Sequence, residues 1–238
     1  MTVTTPPAAP DAPFVNNALS DGLAAAALDI ARKFHDGATL WVIAPQWGPH
    51  AHHVAVEFVH PVIMGKRALP SVALVEPDPV AQARVASQSG DLLLAVASAD
   101  QPAVRDAMRR ASAWGVTTVW IGSGPRPQTE AADHILWIDS ADPMVPATGR
   151  FVLLYHLLWE LTHVCFEHPG LLRKPAAERA GDERYAAEVI LTPDDSADQA
   201  LVRTPEGEQW VDVASLDQVA VNDLILVQAG TAIERSQR

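Results

Sequence analysis

His53 and Glu57 stand four residues apart in a stretch of helical character from His50 to His60. At that spacing two side chains share one helix face, so an imidazole and a carboxylate are offered together. These are donors that zinc accepts, and the same pair can move a proton to and from a substrate carbon. A second set, His156, Glu160 and His163, recurs at helical spacing in the strongly apolar segment 150–168 and forms an alternative ligand set. Two readings stand side by side at this stage. One is a metal or acid/base group; the other is a set of histidines hydrogen-bonded within a subunit interface. The single cysteine, Cys165, lies between Val164 and Phe166, the setting of a buried, inert thiol.

The elements that must carry these groups are legible from the apolar runs. Gly90 to Gly124 reads as one βαβ unit: a strand Leu92 to Ala97, a helix with apolar residues at Ala103, Val104, Ala107, Met108, Ala111 and Trp114, then a strand Val116 to Ile121. In an open parallel sheet, ligands bind beyond the carboxyl ends of the strands, which singles out the turn Ser98 to Pro102. Upstream, Ser20 is the expected N-cap of a helix Asp21 to His35 closed by Gly37, and Thr39 to Ala44 is a first strand. A Pro45-Gln46-Trp47-Gly48-Pro49 turn, a short strand Ser71 to Val75, a strand Ile135 to Ile138 and a helix Arg150 to His168 complete an α/β domain. Trp47, alone among the seven tryptophans, falls in a turn where it would plug a ligand mouth or face a partner.

The pattern changes after Leu172. We divide the chain into a flexible tail (1–14), an α/β domain (15–172), a linker (173–185) and a small β domain (186–238). The last contains short alternating segments Ala187 to Leu191, Ala200 to Thr204, Gln209 to Val213 and Asp223 to Gln228, as in a small β-barrel. So small a unit is expected to pack on the first domain or on a partner.

With 17 Lys+Arg against 29 Asp+Glu the formal charge is −12, which argues against nucleic acid and anionic membranes as partners. One cysteine excludes an internal disulfide and suits a reducing compartment, so a cytoplasmic location is expected.

Residues 15–172 resemble the SIS (sugar isomerase) domain of the phosphoheptose isomerase type. The resemblance rests on His53-Val-Ala-Val-Glu57, on Gly90-Asp91 before the central strand, on Ala113-Trp-Gly115-Val and on Ala132-Asp133. It implies a flavodoxin-like parallel sheet sandwiched by helices and a homo-oligomer with sites at subunit interfaces. It also implies a metal site, zinc being the candidate ion, at His53, Glu57 and His156. Glu57 and His156 would be the catalytic pair and Ser98 a substrate contact. The family's phosphate-holding turns are altered here: Ala97-Ser98-Ala99-Asp100-Gln101-Pro102 keeps one hydroxyl, Asp100 adds a negative charge and Pro102 lacks an amide donor. The Gln of the family's metal set is replaced by Thr148.

Residues 180–235 resemble the HypC/HupF hydrogenase-assembly chaperone through Gly181-Asp182-Glu183-Arg184-Tyr185 and Asp223-Leu-Ile-Leu-Val-Gln-Ala-Gly230-Thr-Ala-Ile233. That family's cysteine and histidine correspond to Ala180 and Gln228, so iron carriage is not expected. Together the two resemblances imply a non-catalytic scaffold in nickel-iron hydrogenase maturation, with the hydrogenase large subunit or maturation proteins as partners. The alternative is a sugar-phosphate aldose-ketose isomerase or sugar-phosphate-binding protein.

Overall fold

Five parallel strands in the order β2-β1-β3-β4-β5 form the centre of the molecule. The computed structural model describes residues 17–172, apart from 62, 64, 76, 141, 143, 144 and 146–148, and residues 184–235, apart from 193–197, 206, 217, 218 and 229. The tail 1–14, nearly all of the linker, Thr148 and Ala180 therefore lie outside the described residues.

The strands are β1 (Leu40–Ile43), β2 (Ser71–Leu74), β3 (Leu92–Val96), β4 (Thr117–Ser123) and β5 (His134–Ile138). Every residue of β3 is buried, because helices cover both faces of the sheet. Leu92, Leu94 and Val96 pack with α1 (Asn17–His35), α2 (Gly48–Val59) and α5 (Gly149–Glu167). Leu93, Ala95 and Ala97 face α3 (Pro79–Ala86) and α4 (Pro102–Ala111). Each fully buried leucine here contributes about 2 kcal/mol through area removed from water.

Two motif aspartates act as fasteners at the amino ends of the strands. Asp91 accepts from the Thr39 amide at 2.8 Å, the Trp41 indole at 2.9 Å and the Gln88 amide at 2.9 Å, tying β1 to β3. Asp133 accepts from the amide and hydroxyl of Thr118, each at 2.7 Å, and joins β4 to β5.

Ser20 lies inside α1, which already runs from Asn17, so it is not the N-cap. Helix α3 was not expected; Asp78 caps it by accepting from the Ala81 amide at 3.0 Å, with Pro79 in the first turn.

Beyond residue 184 a separate sheet contains β6 (Tyr185–Leu191), β7 (Gln199–Thr204), β8 (Gly207–Asp212), β9 (Leu224–Gln228) and the unexpected β10 (Thr231–Arg235). Antiparallel pairing joins β6 to β7 and β9, β7 to β8, and β9 to β10, and one parallel pair, Thr231 with Asp212, joins β10 to β8. This unit packs on the α/β domain: Leu224 enters the apolar cluster around α4. At the junction lies Glu188, wholly buried, accepting from Arg84 at 2.6 Å, Arg110 at 3.2 Å and the Trp114 indole at 3.0 Å. Gly115, at φ +72°, lies so close that a Cβ there would come within 2.9 Å of the Pro205 Cα.

Candidate functional site

Helix α2 begins at a turn with Pro49 in its first turn and stops at His60, whose amide bonds the Val56 carbonyl at 2.8 Å before Pro61. Its buried face, Ala51, Val54, Ala55 and Phe58, rests on the sheet. That orientation leaves His53 and Glu57 toward α5, which crosses nearby and brings His156 to meet them.

Three ligand atoms converge. His53 Nε2 is 3.3 Å from Glu57 Oε1, His156 Nε2 is 3.3 Å from His53 Nε2, and His156 Nε2 is 3.3 Å from Glu57 Oε1. Two imidazole nitrogens at that separation cannot both present lone pairs without a proton or cation between them. An equilateral triangle of 3.3 Å edge is also one face of a tetrahedron whose centre lies about 2.0 Å from each corner, the length of a zinc bond to nitrogen or oxygen. The donor chemistry and the spacing both fit zinc. Solvent reaches the group, since the side chains of His53 and His156 are 37% and 41% exposed.

Tyr155 orients the group and was missed by the sequence reading, although it adjoins His156. Its hydroxyl is 2.8 Å from His53 Nδ1 and 3.5 Å from His50 Nδ1. Burial, and secondarily the charge of Glu57, pushes the phenol up to about 12, so it remains protonated. When His53 Nδ1–H donates to Tyr155, the Nε2 lone pair is free to face the other two atoms, the arrangement that fixes a ligating imidazole.

The other candidates are not brought into this group. His163 is buried, with Nδ1 3.0 Å from the Trp159 carbonyl and Nε2 3.0 Å from the Arg67 carbonyl, while Glu160 accepts from Lys66 at 3.3 Å. The alternative set His156, Glu160 and His163 is therefore not assembled. Cys165 is buried and its thiol is pushed up chiefly by that burial. Trp47 stacks edge-on against Phe151 at 5.7 Å.

At the strand-end turn, the hydroxyl of Ser98 lies 2.9 Å from Gln46 Oε1 and 2.5 Å from Asp100 Oδ1, and its amide donates to Gln46 Oε1 at 3.4 Å. The turn Pro45 to Pro49 and the strand-end turn Ser98 to Pro102 are thus bonded to each other. No helix among the described residues is long and apolar enough to cross a membrane.

No protein-family model and no curated protein matches the chain. Among solved structures, it is similar to a phosphoheptose isomerase from Francisella tularensis, with 20% identity and TM-score 0.54 over 62% of this chain and 88% of that one. It is also similar to the phosphoheptose isomerase from Neisseria gonorrhoeae, with 16% identity and TM-score 0.50 over 60% of this chain and 86% of that one. The parallel-sheet part of the chain therefore has the sugar-isomerase fold. The hydrogenase-chaperone resemblance of the C-terminal sheet rests on its quoted residues alone.

Proposed function

We propose that the chain is a sugar-phosphate protein of the aldose-ketose isomerase kind, with His53, Glu57 and His156 as a zinc-binding acid/base site. The observation that carries this reading is the 3.3 Å triangle of their ligand atoms. The fold likeness favours it over the hydrogenase-maturation reading.

Zinc, when held by these three residues, would polarise the sugar carbonyl. The protein's own share begins with Glu57, whose second carboxylate oxygen makes no hydrogen bond among the described residues and can accept a proton from the carbon beside the carbonyl. His156, partly exposed, is the second proton carrier in the ion-free group, where its Nε2 lone pair is not taken up as a ligand. Tyr155 holds His53 in the orientation both roles require. Ser98 enters as a substrate contact by exchanging Gln46 and Asp100 for the ligand. With the Asp100 carboxylate so close, that end suits a hydroxyl of the sugar better than its phosphate.

Val56 and Leu153, on the same two helices, are 49% and 48% exposed; we assign them to the contact between copies of the chain. Sedimentation would show a species larger than 25.5 kDa if this assignment is right.

The reading is tested by metal analysis after zinc loading, with about one ion per chain expected. It is tested further by incubation with heptose and hexose phosphates in deuterium oxide. Deuterium should enter the sugar at the carbon beside the carbonyl. Absence of bound zinc would remove the metal; absence of both deuterium uptake and any rise in melting temperature would remove the sugar-phosphate reading.

A further inference from the structure

A cleft of about 1290 Å³ opens between the two units, beyond the carboxyl ends of β3 and β4. One side is the outer face of α4 with the loop 125–131; the other is β9 and the end of β10. It lies on the α4 side of the sheet, whereas His53, Glu57 and His156 belong to helices on the opposite side.

In a chain of net charge −12, the cleft gathers Arg105, Arg109 and Arg126. Arg105 and Arg126 are exposed and make no ion pair or hydrogen bond among the described residues. Arg109 pairs with the half-exposed Asp106 three residues before it. Arg110, on the same helix, has a different part: it is held by Asp106, by buried Glu188 and by the Asn222 carbonyl. The exposed guanidiniums of Arg105, on α4, and Arg126, on the loop after β4, are suited to bidentate capture of phosphate.

The rest of the lining narrows the ligand. Leu226 on β9 is half-buried beside the cleft, next to Leu224 at the edge of the α4 cluster, and Pro127 adds a second apolar patch. Asp100, Glu130 and Glu234 also line the cleft and can only accept hydrogen bonds. A bare inorganic anion would meet these carboxylates as well as the arginines. A molecule with phosphates for the arginines, hydroxyl or amino donors for the carboxylates and a flat apolar ring for Leu226 and Pro127 uses all three. We propose that this cleft binds a nucleotide of nucleoside-diphosphate size.

The test is calorimetric titration of the full chain, and of the double variant R105A/R126A, with ADP, UDP and pyrophosphate. Both residues are exposed and unpaired, so the variant should keep the parent's melting temperature and zinc content. We expect saturable binding of at least one nucleotide, weakened about tenfold or more in the variant, with pyrophosphate weaker than the nucleotide. Absence of binding by both nucleotides, equal affinity in the variant, or pyrophosphate binding as tightly as the nucleotide would each overturn the proposal. Zinc content, read on the same preparations, keeps this outcome separate from that of the metal site.

Discussion

Glu57 and Glu188 are both carboxylates drawn into the packed body of the protein and ringed by nitrogen atoms, yet their surroundings are opposite in kind. Glu188 meets donors only: two guanidiniums and an indole N–H, with no solvent exposure. Glu57 meets two imidazole nitrogens that can each present a lone pair, and solvent reaches the group. A saturated carboxylate joins parts of a structure. A group in which potential acceptors face one another leaves a place for a proton or a cation, and that difference separates the junction from the site more sharply than burial does.

The largest effect should come from Glu188→Ala. It leaves two guanidiniums and an indole N–H facing an empty position, at a cost of about 3–5 kcal/mol. Thermal unfolding should then fall by roughly 10 °C, with zinc content per folded chain unchanged. An unaltered melting temperature would erase the contrast between the two carboxylates. Next, His156→Ala should abolish zinc retention while lowering the metal-free stability by less than about 1 kcal/mol, because the side chain is partly exposed. A stability loss as large as that at Glu188 would recast the histidine group as architectural.

Tyr155→Phe sharpens the comparison further. The ring packing is kept while the contact to His53 Nδ1 and the longer one to His50 Nδ1 are lost, so zinc affinity should drop about tenfold, measured by competition with a chelator. The smallest effect belongs to Ser98→Ala. Its hydroxyl bridges exposed partners, so stability should change by no more than about 0.5 kcal/mol in urea unfolding. Complete loss of sugar-phosphate affinity in that variant would mean that the Gln46 contact yields to substrate.

The fold was largely legible because β3 is buried on both faces, and a strand in that position must be apolar throughout. Helix α3 escaped because its eight residues carry little periodicity, although Asp78-Pro79 was a usable start signal. Strand β10 escaped because three of its five residues are exposed. At the site, the spacing of His53 and Glu57 put them on one face, whereas the grouping of His156 with that pair, rather than with Glu160 and His163, came only from the family resemblance, since nothing local says which residue of another helix will arrive. Tyr155 was hidden for the same reason. Glu188 did leave a trace, a lone charge between Ala187 and Val189 in an apolar run, but its partners lie 74 to 104 residues away.

The junction also bears on how the chain is made. Translation delivers all five strands of the parallel sheet by Ile138, while the second sheet waits for β10, almost a hundred residues later. Arg84, Arg110 and Trp114 are therefore in place before Glu188 leaves the ribosome. The first unit acts as a template for the second, offering a ready-made counter-charge to a carboxylate that would otherwise resist burial. A ribosome stalled after α5 should carry a folded α/β unit, whereas the C-terminal segment synthesised without it should fail to form its sheet.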